Sequence, residues 1–170
     1  MSENFKQVYQ FKISLLDIQP PIWRRVQVPD YYVFSDLHNI IQKAMGWDNC
    51  HLYEFSKKAG NPILESDKIQ NIFSLENNKA YYEYDLGDSW LHEILLEKIL
   101  PAVRDSRYPV CIAGKRACPP EDCGGVPGYT NLLNIIANHR HEEYRSMMEW
   151  LGDKFYPEKF DPEDIYFGDE

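Results

Sequence analysis

From Tyr81 to Ile99, apolar and polar residues alternate on both sides of a Gly87-Asp88 pair. A period of two marks a half-buried strand, and two such runs around a tight turn pair as an antiparallel hairpin. Gly87 at the first central position suits a two-residue type II′ turn. That turn sets a register, with Asp85 opposite Trp90 and Glu83 opposite His92. These four side chains then share one face with Ile94, and Tyr82, Tyr84, Leu91 and Leu95 occupy the other. A carboxylate beside an imidazole fixes its tautomer and favours its protonated form. Glu83, Asp85 and His92 are therefore the candidate catalytic residues. The same arrangement also serves as a cross-strand ion pair that only stabilises the sheet, and perturbed pairs are often structural.

The rest of the chain supplies partners for this hairpin. Residues 8–17 read as a strand, Pro20-Pro21 as an extended turn, and Ile22–Val28 as a second strand. Ile22, Arg24, Val26 and Val28 fall on one face, with Trp23, Arg25 and Gln27 on the other. Ser35 is a plausible N-cap, followed by an apolar stripe of Leu37, Ile40, Ile41, Ala44 and Met45 that Gly46 stops. His51–Phe55 reads as a strand, Lys57–Pro62 as a turn, and Ile69, Ile72, Phe73 and Leu75 as one short helical turn. Tyr129, Leu132, Leu133 and Ile136 form the stripe of a helix over 129–138. Tyr144, Met147, Met148 and Leu151 form that of a second over 141–151, stopped by Gly152. Asp161 before Pro162 marks a last short turn. The expected fold is α+β, one domain over 1–170. Its mixed, mostly antiparallel sheet opens with a β-grasp-like hairpin, helix and strand, and packs against helices, two of them consecutive near the C-terminus.

Between the hairpin and the last helices lies a loop from Cys111 to Gly125 that holds three of the four cysteines. Cys111, Cys118 and Cys123 with His92 are four donors of the type zinc takes. Their spacings lack the tight C-x₂-C knuckle, and free cysteine is commonly just a small buried hydrophobe. Zinc is the one metal these residues raise, and no other cofactor is expected. Ser89 and His92, at odd separation in a strand, face opposite ways, and no G-x-S-x-G elbow exists. Gly124-Gly125-Val126-Pro127-Gly128 precedes a helix, but no Walker lysine follows and Glu121 and Asp122 repel phosphate. Its glycines read better as loop geometry. Trp23, Trp47, Trp90 and Trp150 fall on four different elements, with Trp150 just off its helix's stripe.

A formal net charge of −9 disfavours broad nucleic-acid binding. Arg24-Arg25 and Lys115-Arg116 are the short basic pairs that stand as candidates for a local contact. No window is apolar enough for a membrane span, and Met1–Phe5 lacks the pattern of a secretory leader. Cytoplasmic residence, with reduced cysteines, is the expectation.

Tyr84–His92, Tyr108–Cys111 and Gly114–Tyr129 together resemble the plasmid pRi-type ORF-three-like family, also labelled transposon passenger, TnpR-like. So do Pro20–Arg25, Ala44–Trp47 with His51–Phe55, Trp150-Leu151 and Phe160–Pro162. Within the long segment the motif residues are Asp88, Trp90, Cys118, Pro119, Pro120, Glu121, Asp122, Gly124 and Gly125. The resemblance implies an α+β fold and a microbial, mobile-element setting. It implies no established activity, and no Ser-recombinase signature accompanies it. The leading expectation is a non-enzymatic protein-interaction or accessory module. Two alternatives stand beside it. One is a small enzyme or metal-binding protein centred on Glu83, Asp85, His92, Cys118 and Asp122. The other is a DNA-associated accessory using Arg24 and Arg25.

Overall fold

The computed structural model describes residues 5–58, 60–152 and 155–168. The N-terminal residues 1–4 and Ala59 of the Lys57–Pro62 turn lie outside this range. The alternating segments form β1 (Gln7–Leu15), β2 (Trp23–Pro29), β3 (Tyr53–Ser56), β4 (Pro62–Ile63), β5 (Lys79–Tyr84), β6 (Trp90–Pro101) and β7 (Val110–Lys115). They join in one sheet of order β4-β3-β5-β6-β1-β2-β7, in which every pair is antiparallel.

Helix α1 (Phe34–Met45) follows the β1–β2 hairpin, which gives the expected hairpin, helix and strand opening. Its stripe of Leu37, Ile40, Ile41, Ala44 and Met45 is buried, and Gly46 ends it in the left-handed conformation. Its start differs from expectation. The cap residue is Val33, whose N–H donates to Asp36 Oδ2 at 2.9 Å, so Asp36 rather than Ser35 serves the first turn. Phe34 packs on Phe55 and Phe73, and Phe11 on Phe73, so α1 and the short α2 (Ile69–Ile72) share one core with the sheet.

Helix α3 (Gly125–Ile136) starts a turn earlier than expected, because Pro127 in a first turn gives up an N–H that has no intrahelical acceptor. Helix α4 (Tyr144–Leu151) is shorter than its pattern and buries none of its residues fully. A final 3₁₀ turn, Pro162–Asp164, is capped by Asp161. Among the described residues no helix is long and apolar enough to cross a membrane.

Three of the four residues of the basic pairs are engaged in this framework. Arg24 is 2% exposed, Arg25 makes two bonds to Glu97 (2.6 and 2.8 Å), and Arg116 is buried against Glu158.

Candidate functional site

The β5–β6 register differs from the expected one by a single residue. Tyr82 stands opposite His92, Glu83 opposite Leu91 and Tyr84 opposite Trp90. One residue of slip sends every side chain to the other face. His92 enters the core with Tyr82, Tyr84 and Trp90. Glu83 lies on the opposite face, where it accepts the Ser89 hydroxyl. The Glu83–His92 pair is not formed. Its absence traces to the turn: Asp85 and Ser89 both have φ of 55°, and Asp85 Oδ1 accepts the N–H groups of Gly87 (3.0 Å) and Asp88 (3.2 Å). An aspartate closes a longer loop in place of the two-residue glycine turn.

His92 is fully buried, edge-on to Trp47, with Nδ1 3.2 Å from the Tyr82 carbonyl. Burial pushes its pKa down to about 4. It is a neutral residue of the core. The four expected zinc donors do not converge either. Among the described residues, the groupings of metal-capable side chains include neither His92 nor Cys111, Cys118 and Cys123. Cys111 donates to the Ala113 carbonyl, and burial raises all three thiols, Cys123 to about 12. They act as small apolar groups.

The groups that do converge come from three segments tied together by hydrogen bonds. Residues 47–52, after α1, are held on one side by the helix. Asn49 N–H donates to Gln42 Oε1 at 3.0 Å, and Asn49 Oδ1 accepts from His38 Nε2 at 2.7 Å. That fixes the His38 tautomer, so Nδ1 accepts the Tyr82 hydroxyl, which in turn accepts from Gln42. On the other side the loop around Cys118–Gly125 docks. Trp47 Nε1 donates to Pro119 O, and Asp48 N–H to Glu121 Oε1. The β5–β6 turn completes the set: Asp85 N–H donates to Leu52 O, and Asp88 Oδ2 accepts Gly124 N–H. Gly125 has φ of +65° and sits against the Asp88 backbone, where a Cβ would collide with the Asp88 carbonyl oxygen.

His51 stands at the meeting point. Asp122 Oδ1, Asp85 Oδ2 and Glu121 Oε2 lie 3.0, 3.6 and 3.8 Å from its Nε2. The ligand atoms of His51, Asp85 and Asp122 lie within 4.8 Å of one another, as do those of Cys50, His51 and Glu121. Three carboxylates thus ring one imidazole nitrogen, yet that nitrogen makes no hydrogen bond to any of them, and neither it nor Glu121 Oε2 reaches solvent. Each inner carboxylate has its second oxygen already satisfied. Asp85 Oδ1 takes two backbone N–H groups, and Glu121 Oε1 takes Asp48 N–H (2.9 Å) and the Tyr84 hydroxyl (3.0 Å). One further oxygen of each lies within 3.8 Å of His51 Nε2. Donors bound at about 2.1 Å around a cation are about 3.0–3.4 Å apart; the Asp122 distance to Nε2 lies in that range and those of Asp85 and Glu121 lie above it.

Of the expected site residues, the structure brings Asp85, Glu121 and Asp122 together, with Asp88, Gly124 and Gly125 as their support. It separates Glu83, His92 and the three loop cysteines from them. His51 is the residue the sequence reading did not single out. Its signal was its place in the His51–Phe55 segment, five residues beyond a helix-stopping glycine.

A family model described as plasmid pRiA4b ORF-3-like protein matches residues 7–164. The uncharacterised protein y4hQ of Sinorhizobium fredii (strain NBRC 101917 / NGR234) is 33% identical over 162 residues, covering 88% of this chain and 83% of that one. A crystal structure of MM3350, a protein of unknown function from Methanosarcina mazei Go1, has a TM-score of 0.91 at 44% identity. The alignment covers 96% of this chain and 99% of that one.

Proposed function

We propose that this chain, which belongs to the plasmid pRiA4b ORF-3-like family, is a divalent-cation-binding protein. Its cation is held by His51 Nε2, Asp85 Oδ2 and Asp122 Oδ1. The observation that carries this reading is the buried, unbonded His51 nitrogen inside a ring of three carboxylates. Buried polar atoms without partners are costly, and so are clustered like charges. A cation relieves both at once. One imidazole with carboxylates suits Zn²⁺, Mn²⁺ or Fe²⁺.

The test is elemental analysis of tag-free protein, with thermal shifts on adding Mn²⁺, Co²⁺ or Zn²⁺. About one cation per chain is expected, lost in His51→Ala and Asp122→Asn and retained in Glu83→Gln. A wild-type protein that takes up none of the three ends the reading.

A protein-interaction role is the second reading, favoured by one observation: α4 buries no residue fully, and its Trp150 is 53% exposed. An exposed indole of this kind is a common anchor of interfaces. Trp150→Glu then abolishes partner capture without touching cation uptake, and capture that survives the substitution removes α4 from consideration. A mobile-element role adds nothing that either reading needs.

A further inference from the structure

We propose that the face of α4 around Trp150 docks a basic segment of a partner protein, with an arginine of that segment on the indole and an apolar neighbour in the hollow beside it. The inference deepens the protein-interaction reading above, on which it rests, and is independent of the cation.

Helix α4 leaves this face uncovered. Met147 and Leu151 pack on the core without being fully buried, and Trp150, beside that stripe, is 53% exposed. The indole stands in the wall of two hollows. One, of about 300 Å³, has Leu132 and Met147 in its wall. The other, of about 340 Å³, has Trp47, Leu151 and Phe155. A rigid aromatic ring next to an apolar recess is the form that interface anchors take, and the recess gives the partner's own anchor a place to go.

Charge decides what covers the face. Among the described residues no lysine or arginine lines either hollow, and the charged residues there are Glu121, Asp122 and Glu143. Glu121 is held by Asp48 N–H and the Tyr84 hydroxyl, and Asp122 lies 3.0 Å from His51 Nε2, so these two are engaged within the chain. Glu143 is different. It is exposed in the same wall as Trp150, and its described hydrogen bonds run through its backbone, whose N–H donates to His141 Nδ1 and whose carbonyl accepts the Ser146 hydroxyl. Glu142 is exposed beside it, and Arg145 of the same helix is paired with Glu149 at 3.5 Å. A second copy of this chain, of net charge −9, would set these acids against themselves. A basic segment is attracted instead. Arginine suits the place, because a planar guanidinium stacks on an indole and still donates to a carboxylate. Leu132 and Met147 then receive the apolar neighbour.

The test titrates full-length protein into fluorescein-labelled hexapeptides and follows fluorescence anisotropy at low salt. The first probe alternates arginine with leucine. The second carries citrulline for arginine, which keeps the shape and removes the charge, and the third carries serine for leucine. The first is expected to bind, and the other two to bind about tenfold more weakly. Trp150→Ala, at an exposed position, is expected to weaken the first probe by about tenfold, and Glu143→Gln by about threefold. A citrulline probe that binds as well as the first and is lost in Trp150→Ala overturns the basic class and leaves the interaction reading standing. Equal binding of the serine probe means that no recess is filled, and it also overturns the inference. Arginine-probe binding that Trp150→Ala leaves unchanged is attraction to the acidic surface at large and overturns it too, as does an arginine probe that does not bind. Partner capture that survives Trp150→Glu overturns the interaction reading and the inference together.

Discussion

The Tyr84 hydroxyl donates to Glu121 Oε1 at 3.0 Å, and that bond leaves Glu121 Oε2 facing His51. Tyr84 is itself fully buried, so its ring cannot swing away and the bond acts as a fixed strut. Groups that orient metal ligands commonly contribute 10–100-fold to metal affinity. Tyr84→Phe keeps the ring and removes only the strut. The expected result is a cation Kd raised about tenfold or more by calorimetric titration, with the fold intact. Unchanged affinity would show that Glu121 does not support His51 at the site.

The contact between Gly125 and Asp88 is the second joint of the site. Two demands coincide at Gly125: a positive φ and a backbone approach that leaves no space for a Cβ. Gly125→Ala therefore displaces the 118–125 loop from the β5–β6 turn and lengthens the Asp88–Gly124 bond. A loss of about 1–3 kcal/mol in urea unfolding is expected, with a cation affinity reduced in step. Gly152 gives the contrast. It is also left-handed, but among the described residues nothing lies near its missing Cβ, so Gly152→Ala costs only its backbone strain and leaves cation affinity alone.

Much of this architecture was legible in the sequence, and where it was not the reason is physical. Period-two alternation located β1, β2, β5 and β6, and the stripe from Leu37 to Met45 located α1, because each element buries one face against the same core. The β5–β6 register was misread because Gly87-Asp88 looks like a hairpin turn, whereas the Asp85 side chain organises the backbone instead. That single shift exchanged His92 for a core residue and removed Glu83 from the site. His51 stayed hidden for a different reason. It meets Asp85, Glu121 and Asp122 only through long-range contacts, and no spacing rule encodes a site assembled from segments 34 and 70 residues away. The loop motif was visible as a string, but its purpose, Asp88 holding Gly124 and Glu121 reaching Tyr84, appears only when the loop lies on the hairpin end.

Arg24 shows how far a charged residue can be drawn into structure. Its Nε donates to Ala44 O at 2.8 Å in the last turn of α1, and Nη1 to the carbonyls of Trp23 and Lys115. The guanidinium lies 3.9 Å from the Phe160 ring centroid. Burial pulls its pKa down. One planar fork thus joins α1, β2, β7 and the C-terminal tail, and a lysine cannot copy it. Arg24→Lys is expected to cost about 2–4 kcal/mol in urea unfolding, since charged hydrogen bonds are lost and carbonyls go unpaired. A loss below about 1 kcal/mol would show that the fork contributes little.

His92 makes stability depend on pH in a defined window. Burial lowers its folded-state pKa from 6.5 to about 4. Above about pH 6.5 the ring is neutral in both states and contributes no slope. As pH falls towards 4 the unfolded chain takes up a proton that the folded chain refuses, so unfolding is favoured. Below about 4 both states are protonated and the slope vanishes. The loss is at most about 1.4 kcal/mol per pH unit, on the order of 3 kcal/mol across the window. His38, whose pKa burial also lowers, acts in the same direction. Urea midpoints at pH 7.0, 5.5 and 4.5 measure the effect. In His92→Leu, which keeps an apolar side chain beside Trp47 and Tyr82, the fall from pH 7.0 to 4.5 is expected to shrink by about half or more. Parallel wild-type and variant curves would mean that His92 is protonated as readily in the folded protein as in the unfolded chain.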